Sequence, residues 1–106
     1  MSDTKALERL RKKLTIENLW LYIIKIMMDE AKPLKAYDLK VKLRERFEIN
    51  PPAVTVYTVI YRMNREGLLV KRVVKEETFY EPTNKGIEAF KQGVLFIEET
   101  LAKLKI

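Results

Sequence analysis

The sequence predicts a mainly α domain of the α+β class, with one short β-hairpin set among helices. Three observations lead there. Apolar residues recur at helical spacing over most of the 106 residues. One stretch near residue 70 is rich in β-branched residues and carries no helical stripe. Only 3 Gly and 4 Pro interrupt the chain. With 47% hydrophobic residues, the length suits a single domain over 1–106 that buries one modest core.

Composition removes several function classes. The chain has neither Cys nor His, which excludes disulfides, thiol chemistry, imidazole catalysis and the usual zinc sites. No Gly-rich phosphate loop and no nucleophile–base pair can be placed, so neither an enzyme nor a cofactor is expected. The longest apolar run, 19–24, is too short to span a bilayer, and the N-terminus lacks an apolar signal core. A cytoplasmic protein with no membrane partner is the expectation. The net charge of +6 favours an anionic partner, although charge alone also serves solubility.

In chain order, 1–14 reads as a short accessory helix. Leu7, Leu10 and Leu14 form a stripe among Lys5, Arg9, Arg11, Lys12 and Lys13. A helix packed on its leucines, with solvated cations, is favoured here over a basic arm touching phosphates. Thr15 then stands as the cap of a second helix. Ile16, Leu19, Trp20, Ile23, Ile24 and Met27 fit the helical template without a miss and predict the floor of the core. A loop over 29–35 contains Pro33. A third helix over 36–47 turns Leu39, Leu43 and Phe47 inward and Lys40, Lys42, Arg44 and Arg46 outward.

After a break at 48–50 comes N-P-P-A-V-T-V-Y-T-V-I-Y-R-M-N-R-E-G, residues 50–67. Asn50 and the prolines signal a helix start, and Gly67 signals its end. Val56, Val59, Ile60 and Met63 recur on one face. Val54, Thr58, Tyr61 and Arg65 fall opposite, with Thr55, Tyr57 and Arg62 on the flanks. Two helices joined so closely, the second polar and basic outside, make a helix-turn-helix.

The stretch 68–74 (L-L-V-K-R-V-V) reads as a strand, 75–77 (K-E-E) as a turn, and 78–81 (T-F-Y-E) as the returning strand. A hairpin directly after a helix-turn-helix makes a winged helix-turn-helix, here spanning 15–82. Between residues 51 and 75 five basic side chains, Arg62, Arg65, Lys71, Arg72 and Lys75, face a single acid, Glu66. That concentration favours a nucleic-acid surface over a merely solvated one, while Glu76 and Glu77 argue against the wing tip itself entering a groove. Thr83 caps a last helix over 83–106. Its residues Ile87, Phe90, Val94, Ile97, Leu101 and Leu104 are spaced as an a/d seam, which predicts dimerisation, the competing expectation being a monomer whose last helix folds back on its own Trp20 helix.

The stretch P-P-A-V-T-V-Y-T-V-I-Y-R-M-N-R-E-G-L-L resembles the recognition-helix signature of PadR-like winged-helix transcriptional regulators. F-Y-E-P-T-N-K-G-I-E-A-F is similar to that family's strand-to-helix junction, and K-A-Y-D-L at 35–39 to the start of its second helix. Together these cover about half of the chain, and the small archaeal members with a single C-terminal helix have the nearest shape. Ala36 and Pro82 depart from the family's Gly and Leu, and the short C-terminal part puts a family ligand pocket in doubt. The effector therefore stays unassigned.

The resemblance implies a homodimer on double-stranded operator DNA of near-palindromic sequence. Thr55, Thr58, Tyr61 and Arg62 are the candidates for base edges. Tyr57, Arg65, Lys71, Arg72, Lys75 and, at the start of the preceding helix, Tyr37 are the candidates for the phosphate backbone. The rival expectation is a winged helix that serves as a protein adaptor in a transcription complex.

Overall fold

The computed structural model describes residues 3–105. Five helices and two strands follow in the order α1 (Lys5–Leu14), α2 (Leu19–Glu30), α3 (Ala36–Phe47), α4 (Ala53–Glu66), β1 (Leu69–Val74), β2 (Glu77–Pro82) and α5 (Asn84–Leu104). A 3₁₀ turn, Ile16–Asn18, separates α1 from α2.

The core lies where α2, α3 and α4 meet. Leu19, Ile23, Ile24, Ile26 and Met27 of α2 close on Leu39 and Leu43 of α3 and on Val56, Ile60 and Met63 of α4. Each large aliphatic side chain buried there contributes roughly 1.5–3 kcal/mol of transfer free energy. Ile26 lies off the single stripe read from the sequence, yet it is fully buried. α2 touches α3, α4, α5 and β2, so more than one of its faces is covered. At the outer end of this layer Tyr22 meets Phe47 edge-on, with ring centroids 5.1 Å apart.

Prolines and short polar residues set the helix ends. α4 begins at Ala53, later than the Asn-Pro signal predicts, because Pro51 precedes a proline and is excluded from helical backbone. The spare Pro51 is instead fully buried in the core. α2 likewise starts late. Thr15 does not cap it, because the 3₁₀ turn Ile16–Asn18 intervenes and puts Asn18 at the start of α2, while the Thr15 hydroxyl donates back to the Arg11 carbonyl at 2.6 Å. α3 has the predicted bounds, and the Asp38 carboxylate accepts from the Lys35 backbone N–H at 3.1 Å. Glu48, in the left-handed region at φ 58°, turns the chain toward α4.

The wing is antiparallel, with Val74 opposite Glu77 and Leu69 opposite Pro82. Its turn is two residues long, not three. Lys75 and Glu76 both hold positive φ (50° and 66°), the type I′ geometry whose twist matches the strands. Glu77 therefore belongs to β2. The 29–35 segment is more than a loop: Leu34 is buried and pairs with Tyr80 through backbone bonds of 3.0 and 2.8 Å. Thr83 caps α5 as predicted, accepting from the Gly86 N–H at 3.0 Å and donating to the Gly67 carbonyl at 2.6 Å. A Cβ on Gly86 would stand 2.2 Å from the Leu68 carbonyl oxygen, so only glycine lets α5 approach the base of the wing.

The two outer helices are unlike the rest. α1 buries no residue, and its Leu7, Leu10 and Leu14, the stripe on which the helix is expected to pack, remain 38–53% exposed. The α5 seam divides. Ile87, Phe90 and Val94 are half-buried, with Phe90 against the core, whereas Ile97, Leu101 and Leu104 are open. The radius of gyration, 15.0 Å, exceeds the ~13 Å of a compact domain this long.

Candidate nucleic-acid interface

The inward side chains of α4 fix its phase. With Val56, Ile60 and Met63 buried, the helical period leaves Val54, Thr58, Tyr61 and Arg65 on the outer face, all of them exposed. The Arg65 guanidinium lies 5.9 Å from the centre of the Tyr61 ring, an arrangement that holds both side chains against the same surface. The Thr58 hydroxyl donates to the Val54 carbonyl at 2.8 Å, which leaves its oxygen free to accept.

The flank residues diverge. Arg62 lines a depression of about 430 Å³ with Trp20, Val59 and Glu66, on the side facing α2. Thr55 is half-buried. On the other flank Tyr57 shares a shallow depression with Tyr37, Lys35 and Thr78, so the start of α3 and the wing meet α4 there. Tyr37 is thus placed beside the α4 face from another element.

The wing cations do not act as one group. Strand alternation puts Lys71 and Arg72 on opposite faces of the ribbon. Arg72 is paired with Glu81 at 3.1 Å, an acid on its own face two positions along the partner strand. Lys71 and Lys75, together with Arg62 and Arg65, have no acidic partner among the described residues. Lys75 stands at the tip beside Glu76, while Glu77 is drawn to Lys35 at 3.5 Å.

Two residues escaped the sequence reading of the site. The sequence reading sets Val54 on the outer face with no role, although at 71% exposed it is the most open large apolar side chain of α4. Its signal was a β-branched apolar residue on an otherwise polar face. Lys85 donates to the Glu66 carbonyl at 2.9 Å and ties α5 to the end of α4. Nothing in the spacing of Lys85 marks it, since the contact joins residues 19 apart.

No protein-family model matches this chain, and no curated protein sequence matches it. Solved structures do. A transcriptional regulator from Clostridium thermocellum superposes with a TM-score of 0.75 at 17% identity, over 97% of this chain and 95% of that one. F93 from STIV, a winged-helix DNA-binding protein, gives 0.69 at 19% identity over 79% of this chain and 90% of its own. A PadR family transcription regulator from Clostridium difficile gives 0.66 at 24% identity, over 80% and 95%. The chain has the winged-helix fold of these proteins, as its sequence predicts.

Proposed function

We propose that this chain is a PadR-like transcriptional regulator, a homodimer that binds double-stranded DNA sequence-specifically through the outer face of α4, flanked by the wing. The observation that carries the reading is that Arg65 on the exposed threonine and tyrosine face of α4, Arg62 on its flank, and Lys71 and Lys75 of the adjoining wing have no acidic partner among the described residues. Such cations neutralise phosphates without first breaking an ion pair, and the phosphate term dominates affinity. Thr58 and Tyr61 lie where base edges would be met, while Arg65, Lys71, Tyr57 and Tyr37 flank them toward the backbone. Three structural neighbours are described as transcriptional regulators or DNA-binding proteins, which supports the same reading.

The dimer reading rests on the apolar surface left open. Phe96, Ile97, Leu101 and Leu104 of α5 are 38–76% exposed, and Leu14 of α1 joins Phe96 and Ile97 around one small depression. One continuous stripe therefore runs over both outer helices, and a second copy related by a two-fold axis would cover it. That symmetry sets two copies of α4 toward successive major grooves, about 34 Å apart, on a near-palindromic site. Among the described residues no helix is long and apolar enough to cross a membrane, and a DNA-binding role implies the cytoplasm.

Selection of bound duplexes from a random pool tests specificity and symmetry together. An enriched inverted repeat is expected. Recovery of no enriched sequence would overturn the reading, and an enriched site without a repeat would overturn the dimer. Ile97→Asp combined with Leu101→Asp is expected to sediment as a monomer and to bind half-sites weakly.

A further inference from the structure

We infer that Val54 is a specificity determinant that reads the 5-methyl group of a thymine in the major groove. The inference rests on the DNA-binding reading above and deepens it. Val54 is the second residue of α4, on the line of Thr58, Tyr61 and Arg65, and is 71% exposed. Its isopropyl group touches none of the core, so packing gives no reason for a β-branched apolar residue there. Helix propensity gives none either, because valine is a weaker helix former than alanine. When a helix enters a major groove, its N-terminal residues meet the base edges. The only apolar group that a base pair presents there is the thymine methyl.

Position and rigidity fit that task. The Thr58 hydroxyl bonds to the Val54 carbonyl at 2.8 Å, and the Pro51–Pro52 entry fixes the chain just before the helix. A β-branched side chain in a helix holds one χ1 rotamer, so its methyl groups are presented without ordering cost. The neighbouring outward groups are a hydroxyl and a phenol, which discriminate by hydrogen bonding. Val54 has the one wholly apolar side chain in the Val54, Thr58, Tyr61 and Arg65 line, and it stands nearest the helix N-terminus.

The probe is the duplex recovered from the random-pool selection, remade with each thymine of a half-site replaced singly by uracil. Uracil keeps every hydrogen-bonding group and removes only the methyl. One thymine per half-site is expected at which the replacement weakens binding about four-fold, the value of one buried methyl group. Val54→Ala is expected to bind the thymine and uracil duplexes equally. Retained discrimination by Val54→Ala, or equal binding of every uracil duplex by the parent protein, overturns the assignment and leaves the DNA-binding reading standing. Absence of salt-dependent binding to any duplex overturns that reading, and the assignment with it.

Discussion

α3 and α4 are neighbours of similar length, 12 and 14 residues, and both carry cations on their outer faces. Their cations live in different company. On α3, Arg46 pairs with Asp29 at 2.5 Å, Lys42 with Glu30 at 3.7 Å, and Lys40 bonds the Asn50 side chain at 3.4 Å. Only Arg44 is left without such a partner among the described residues. On α4 neither Arg62 nor Arg65 has one, and in the wing the same holds for Lys71 and Lys75. A count of basic residues would rank α3, with four, above α4, with two. Availability levels that order. Arg46 and Lys42 of α3 are engaged with acids at the end of α2, which leaves two cations on each helix without an acidic partner among the described residues, and on α4 these are all the cations it has.

The largest effect lies on the inward faces, where the two helices should behave alike. Leu43→Ala and Ile60→Ala, both at buried sites, are each expected to cost about 2–5 kcal/mol in denaturant unfolding. A loss at one site only would mean that the helices do not share one core. The outward faces should then part company. Thr58→Ala or Tyr61→Ala is expected to change the preferred base at one position, by up to about 1–3 kcal/mol, with little loss of stability. Arg44→Ala on α3 should leave the preferred sequence unaltered in the same binding selection.

The wing offers a smaller and opposite change. Glu76 holds a left-handed backbone that glycine adopts without strain, so Glu76→Gly is expected to raise stability by up to about 1 kcal/mol. Unchanged or lower stability would mean that this turn stores no strain.

The smallest effect separates the helices by pH. Asp29 has its carboxyl held below the ordinary range by the Arg46 guanidinium and then by the Lys25 ammonium. A depressed folded value stabilises the protein above the unfolded value, near 4, and that contribution disappears as pH falls through the folded value. The urea midpoint of Asp29→Asn should therefore change less than that of the parent between about pH 7 and about pH 2.5. Arg65→Ala should show the parent's pH dependence, and an equal dependence in Asp29→Asn would remove Asp29 from the account.

Most of the fold was legible because local signals agreed with one another. The stripe over 36–47, the cap at Thr83 and the β-branched run after Gly67 each fixed an element where the structure has it. What escaped depends on neighbours. A single-stripe template misses Ile26, because α2 is covered on more than one side. The pairing of Leu34 with Tyr80 joins backbone far apart in sequence, and no side-chain pattern announces it. In the site, the outer face of α4 followed directly from the helical period. The pairing state of the cations did not. That Arg72 is held by Glu81 and Lys71 is not depends on strand register, which is set by a two-residue turn with neither Gly nor Asn to mark it.

The central claim is that the unpaired cations of α4 and the wing, and not the paired cations of α3, meet the phosphates of DNA. It is tested most directly by the salt dependence of binding to the selected duplex. The log of the association constant should fall with log salt by roughly 0.9 per phosphate contact. Arg65→Ala combined with Lys71→Ala is predicted to flatten that slope by about two contacts per subunit. Lys42→Ala combined with Arg46→Ala, the same loss of charge from paired positions, is predicted to leave it unchanged. Equal slopes for the two double variants, or a flatter slope from the α3 pair, would contradict the account.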